Sequence, residues 1–144
     1  MKFSRIGKLG MVSASAAALV IGTGANAFAA DTFPGSSHIT NARTGFESSR
    51  WSEVSYTELR FTGCKSGNDL SVSPEFRRVR NNWPDAFYGE KTFTACFNGG
   101  TSAGTETGLE DGRYYFYIKR VDESTSNQNL INVKKAVVDS TLAD

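Results

Sequence analysis

The 144-residue chain has one histidine, two cysteines and three prolines, and it has no long apolar run. Each scarcity excludes a class of chemistry. His38 alone would have to serve any Ser-His-Asp or Cys-His relay, and it lies in a polar stretch expected to be loose. Zinc draws about three protein ligands even in catalytic sites, and this chain does not offer them. The acidic residues show neither an EF-hand spacing nor an Asp-rich repeat for calcium. No metal, no cofactor and no catalytic residue is therefore expected. The apolar stretch within residues 11–21 falls short of the roughly 20 residues that a membrane-spanning helix needs, so no span is expected. Apolar residues recur at helical spacing over no long segment.

What is present begins at the N-terminus. Lys2, Arg5 and Lys8 stand without an acid, a short apolar run follows, and residues 25–30 are rich in small side chains. This order predicts a secretory signal peptide over residues 1–29, cut after Ala29, or alternatively after Ala27. Its compact, lysine-bearing form suits a bacterium, and the expected location is secreted and extracellular. With no sorting-type tail at the other end, release is expected over wall anchoring. Processing also changes the charge. The sixteen Lys and Arg fall to thirteen against fifteen Asp and Glu, a formal charge of −2. That argues against a nucleic-acid partner, which would want a clear basic excess.

In an oxidising space, Cys64 and Cys96 read as one structural disulfide. The loop of about 33 residues that it closes would contribute roughly 3–4 kcal/mol in the chain-entropy model.

Residues 30–50 are small and polar and read as a loose leader, with Ile39 and Phe46 as anchors, ahead of a domain over 51–144. From Trp51 the pattern is that of strands. Val54 and Tyr56 alternate, then Leu59 and Phe61 alternate in the opposite phase, which predicts a bulge or break near Thr57 and Glu58. A turn at 65–69 precedes a short strand at 70–72, and residues 74–90 read as irregular. Residues 92–97 alternate with Phe93, Ala95 and Phe97 on one side. Residues 98–108 read as a Gly/Ser/Thr loop. Residues 114–121 form the strongest strand, with Tyr114, Phe116 and Ile118 on one face and Tyr115 and Tyr117 on the other. A polar loop at 123–129 leads to a last strand at 130–138. Several short strands at regular spacing predict an all-β, antiparallel sandwich or barrel. Strand parity turns Cys64 and Cys96 away from the core, so that the bridge would clip strand ends at the rim.

Residues 109–118, with the strand at 133–138 behind them, resemble the last two strands of bacterial immunoglobulin-like domains. The resemblance covers roughly 35 residues. It implies a single Ig-like β-sandwich of about seven short strands, and a tyrosine corner formed by Glu110, Gly112 and Tyr114. Phe116 stands where antibody-type domains carry a cysteine, so Cys64 and Cys96 are not assigned as the usual inter-sheet bridge. A fold resemblance carries no function.

The most distinctive segment is 76–88, where Arg77, Arg78 and Arg80 mix with Phe76, Trp83, Phe87 and Tyr88. Arg and aromatic residues are the types enriched at binding hot spots, and Trp or Tyr can also stack on a sugar. The competing use is structural, with Trp83 and Phe87 capping the core and the arginines solvated. Tyr115 and Tyr117 form a second candidate, a stripe that would be exposed unless another element covers it. Carboxylate pairs suited to glycoside hydrolysis would have to come from Glu53, Glu58, Asp85, Glu90, Glu106, Glu110 or Asp111, whose spacing marks no geometry. The expected function is a secreted, non-enzymatic binding protein with an extracellular protein or glycan as partner. A secreted antagonist is the alternative, either antibacterial or an inhibitor of a protease or glycosidase. A small carboxylate-dependent glycan hydrolase is a remote third. The sequence names neither the partner nor the oligomeric state.

Overall fold

The computed structural model describes residues 38–139; the expected signal peptide and its cleavage positions lie outside them. The chain is all-β. Six strands, β1 (Ile39–Arg43), β2 (Trp51–Ser66), β3 (Val72–Arg78), β4 (Ala86–Glu90), β5 (Thr101–Val121) and β6 (Leu130–Asp139), form one antiparallel sheet. Their order is β1-β6-β2-β5-β3-β4. About seven short strands in two sheets were expected. The structure has six in one sheet, and two of them are long.

Their length forces the sheet to fold. The 21 residues of β5 would reach roughly 70 Å if straight, far too long for a domain of about 100 residues with a radius of gyration near 13 Å. The β2–β5 ladder bends where its register shifts on both sides of Ser55. Ser55 has φ 78° and Gly108, on the opposing strand, has φ 65°. The bend brings distant parts of the ladder together. Phe61 is paired with Ser102, and Phe116 lies fourteen residues further along β5. Yet the Phe61 and Phe116 rings sit 5.5 Å apart, edge to face. One folded sheet thereby encloses a core of Trp51, Leu59, Phe61, Val72, Phe76, Phe93, Tyr114 and Ile118.

The expected bulge exists, but a few residues earlier and for a different reason. Val54 is 61% exposed, while Trp51, Glu53, Thr57, Leu59 and Phe61 all point inward. The inward phase from Trp51 to Phe61 is interrupted only at Ser55, where the bulge turns the side chain outward, and polar residues occupy two of its inward positions. The sequence pattern saw only the apolar members and so placed the irregularity too late.

The leader is not loose over its described part. Ile39 and Ala42 are buried and β1 pairs with β6. The next residues cross to β5: the N–H of Gly45 donates to the Ile118 carbonyl at 2.8 Å, and that of Ser48 donates to the Phe116 carbonyl at 3.0 Å. Residues 39–48 thus tie β6 to β5. Ile39 and Phe46 act as the anchors expected, and His38 is exposed.

Three further segments differ from expectation. Residues 101–108 belong to β5 and are not a loop. Their inward positions, Ser102 and Gly104, are small because another segment packs over them. A Cβ on Gly104 would stand 3.0 Å from the Phe93 ring and 2.7 Å from Cγ of Lys91. That covering segment, 92–97, is no strand either; it ends in a 3₁₀ turn, Ala95–Phe97. Residues 74–90 hold most of β3 and all of β4, joined as a hairpin. Pro74 fits there because the β3–β5 register shifts beside it, which is where a strand tolerates a missing N–H.

The disulfide joins Cys64 to Cys96 with Cα atoms 5.1 Å apart. Both cysteines are buried, which corrects the outward orientation read from parity. In the 3₁₀ turn, side chains no longer alternate, so Cys96 turns inward while Ala95 is exposed. The Cys96 N–H donates to Oγ of Ser102 at 3.0 Å. The bridge therefore fastens the covering segment to β2.

Candidate functional site

The β3–β4 hairpin carries the Arg/aromatic segment to the edge of the sheet. Its connection, residues 79–85, includes Asn82 at φ 63°, a left-handed turn conformation that asparagine tolerates well. The side chains divide sharply. Trp83 is 68% and Phe87 69% exposed, the two most exposed large hydrophobic residues among those described. Trp83 and Phe87 therefore do not cap the core. Arg80 is exposed beside them.

The remaining candidates hold the hairpin in place. Arg78 forms an ion pair with Glu110 and donates to the Asp111 carbonyl at 3.0 Å. It can lie across β5 because residue 112 is glycine, where a Cβ would come within 2.6 Å of its Nε. Arg77 donates to Glu75 at 2.7 Å and stacks its guanidinium 3.8 Å above the Tyr117 ring. Tyr88 packs against Tyr114 with ring centroids 5.6 Å apart. From the segment just before β2, Arg50 sits 4.4 Å over the Tyr115 ring. Tyr115 is 1% exposed and Tyr117 is half-buried. The expected tyrosine stripe is thus covered, by Arg50, Arg77 and the hairpin turn, and it offers no free binding face.

Asp85 locks the turn. It accepts the Tyr115 hydroxyl at 2.7 Å and the backbone N–H of Arg80 at 3.1 Å. The Tyr115 hydroxyl, with that N–H and the charges of Arg50 and Arg77, holds the Asp85 carboxyl below its ordinary range against the opposing effect of burial. Burial, reinforced by the bond to Asp85, pushes Tyr115 up to about 12. Two exposed aromatics are therefore displayed on a fixed hairpin, Trp83 on its turn and Phe87 on β4 beside it. Cation–π stacking of this kind contributes about 0.5–2 kcal/mol per pair.

The Tyr114 hydroxyl donates to the Glu110 carbonyl at 2.5 Å. Such a bond between residues four apart requires β5 to bend there. Gly112 makes room for Arg78, and the Glu110 carboxylate pairs with Arg78.

The carboxylates considered for hydrolysis are dispersed and mostly engaged. Glu58 pairs with Arg60, Glu106 with Lys91, and Glu90 with Lys119 and Arg120. Oε1 of Glu53 accepts the Val54 N–H. Among the described residues, no group of three His, Cys, Asp or Glu side chains is placed to hold a metal ion. No protein family, curated protein or solved structure matches the chain.

Sequence reasoning missed Arg50, whose cover of Tyr115 comes from a segment read as leader. It also missed Asp122. This buried carboxylate accepts Oγ of Ser66 at 2.6 Å and the N–H groups of Asn68 and Leu70 at 3.0 Å each. Burial alone would raise its pKa; those donors lower it. A lone Asp after a strand gives no pattern by which to find such a hub.

Proposed function

We propose that this is a secreted, non-enzymatic binding protein whose contact element is the β3–β4 hairpin, with Trp83 and Phe87 as anchors and Arg80 beside them. The observation that carries this reading is the contrast within one segment. Within residues 76–88, Phe76 is buried and Arg77, Arg78 and Tyr88 are consumed in fixing the hairpin, while Trp83 and Phe87 are left in solvent. Exposed aromatics cost free energy in water, and rigid display reduces what is lost on binding. An extracellular protein or glycan is the partner class. Secretion rests on the charged start, apolar run and small-residue site of residues 1–29, and the disulfide is in keeping with it. Mass spectrometry of the culture-medium protein tests export: an N-terminus at Ala30 or Phe28 is expected, and retention of Met1 overturns it.

The immunoglobulin-like relationship belongs to the same proposal. The folded ladder, which sets two parts of one sheet face to face, and the Tyr114–Glu110 bond support it. The single sheet and the different disulfide would make this chain a divergent member.

The binding reading is tested with Trp83→Ala and Phe87→Ala, separately and together, against glycan arrays and extracellular proteins. Hot-spot anchors change affinity by about 2 kcal/mol or more, so a roughly 30-fold loss with unchanged melting temperature is expected. A ligand bound equally well by the double variant overturns the hairpin as the contact. If the captured ligand is a hydrolase that loses activity, the protein is an antagonist using the same element.

A further inference from the structure

The side-chain amide of an asparagine can be attacked by the backbone nitrogen of the next residue. A Cβ on that residue crowds the ring that forms, so glycine in the next position permits the attack best. Asn98 is the only asparagine of the sequence that is followed by glycine.

The fold leaves this pair open. Asn98 caps the 3₁₀ turn Ala95–Phe97, and Gly99 and Gly100 lead from it into β5. Asn98 and Gly99 are both exposed. Gly99 has φ 79°, and a Cβ placed there would meet no atom within 4 Å. Among the described residues its N–H donates to no acceptor. The attacking nitrogen is therefore free of a hydrogen bond and unshielded.

Asp111 and Gly112 supply a contrast, since aspartate before glycine could form the same ring. Gly112 stands opposite Glu53 in the β2–β5 ladder, and Arg78 lies against it. The ladder holds that backbone, and nothing comparable holds Gly99.

One barrier remains at Asn98. Its ψ of 29° puts the Gly99 nitrogen nearly opposite the Asn98 Cβ across the Cα–C bond. Ring closure requires that bond to rotate. Rotation breaks the hydrogen bond that the Gly100 N–H donates to the Ala95 carbonyl at 3.1 Å, and so opens the turn. Cys96 lies inside the turn and is bridged to Cys64. The disulfide therefore opposes the opening.

We propose that Asn98 is a site of spontaneous deamidation, at a rate set by opening of the disulfide-held turn. The Gly99 nitrogen gives its proton to water and bonds to Cγ of Asn98, and the side-chain nitrogen leaves as ammonia. Water then opens the resulting succinimide at either carbonyl, giving aspartate or isoaspartate. Water is the only co-reactant, and nothing is oxidised or reduced. The product carries one new negative charge. In the isoaspartate form it also adds one carbon to the backbone between the bridge and β5. The site stands whether or not the hairpin binds a partner.

The test incubates the disulfide-bonded protein in heavy-oxygen water at mildly alkaline pH, with peptide mapping by mass spectrometry over time. Label should enter at residue 98 before any other asparagine and before Asp111, as a mixture of aspartate and isoaspartate. Asn98→Gln, whose longer side chain closes the ring poorly, should lose that label. Replacing Cys64 and Cys96 with alanine should raise the rate by about tenfold or more, the factor that ~1.4 kcal/mol of easier opening supplies. The unaltered protein in unfolding urea gives the open-chain rate with the bridge intact, and it should exceed the native rate by a similar factor. First labelling at another residue overturns Asn98 as the site. Equal rates in the native and urea-unfolded protein overturn control by the turn.

Discussion

Asp85 accepts the hydroxyl of Tyr115 at 2.7 Å, and this single bond joins the tip of the β3–β4 hairpin to the centre of β5. Tyr115 is almost wholly buried while Asp85 is exposed, so the bond carries the order of the sheet out to a surface turn. Tyr115→Phe removes the donor without changing the ring that Arg50 covers. The expected loss is about 1 kcal/mol of stability, read by urea denaturation. Proteolysis within residues 80–84 should accelerate, because the turn opens more often. Unchanged proteolysis would mean that the Arg78 contacts suffice to hold the turn.

The same pair sets a pH dependence at both ends. The Asp85 pKa is depressed, so its contribution is present above the ordinary aspartate value of 3.8 and is lost as pH falls through the folded value. Tyr115 is raised from 10.0 to about 12. Its contribution is present below pH 10 and is lost as pH rises from 10 towards 12. Hairpin amide exchange, corrected for intrinsic rates, should show protection falling below about pH 3.8 and above about pH 10. Tyr115→Phe should flatten both limbs.

Thr57 has a methyl and a hydroxyl in a position with no exposed surface, and its Oγ1 has no hydrogen-bond partner. Thr57→Val keeps the branched shape and removes the unpaired group. Stability should rise by about 1 kcal/mol, measured as a shift of the urea midpoint with unchanged slope. A loss of stability would place a water at Oγ1.

How far the sequence disclosed this fold depends on what each signal measures. Alternation found the centre of β5 and β6, where apolar residues mark the inward face. It failed at residues 101–108, because Ser102 and Gly104 are inward and small to admit Phe93, and smallness reads as a loop. It failed at β3, because Ser73 and Glu75 are buried as well as Phe76, so no face stands out. Cysteine number and spacing disclosed the disulfide, but parity misdirected it, since a 3₁₀ turn has no alternation to follow. At the candidate site, composition alone located the segment 76–88. Which of its residues are free depends on partners distant in sequence, Arg50, Glu110 and Tyr115, and no local pattern reports them.

Gly104 tests that account of β5. Gly104→Ala would push a methyl against Lys91, whose flexible chain can yield, and against the Phe93 ring, which is 2% exposed and edge to face with Phe61. The expected cost is roughly 1–3 kcal/mol, the usual range for overpacking. Gly108→Ala meets no atom within 4 Å but has φ 65°, so its smaller cost, about 1 kcal/mol, would come from the backbone alone. Equal effects at the two sites would count against packing as the reason for glycine at 104.

The disulfide offers the largest single change. Cys64 and Cys96 are both buried, and 32 positions separate them. Replacing both with alanine frees the covering segment from β2 in the unfolded chain, which in the entropy model costs roughly 3–4 kcal/mol. The loss should not fall evenly. Phe93 pairs with Val72 through two backbone hydrogen bonds, so the start of the covering segment keeps a hold on β3. The 3₁₀ turn at Ala95–Phe97 retains the Ser102 contact at Cys96, which is a backbone donor and survives the substitution. Hydrogen exchange in the double-alanine variant should therefore rise most at residues 94–100 and least at 79–90, where Asp85 and Arg78 hold the hairpin. A protein that loses hairpin protection first would show that the bridge supports the candidate site directly.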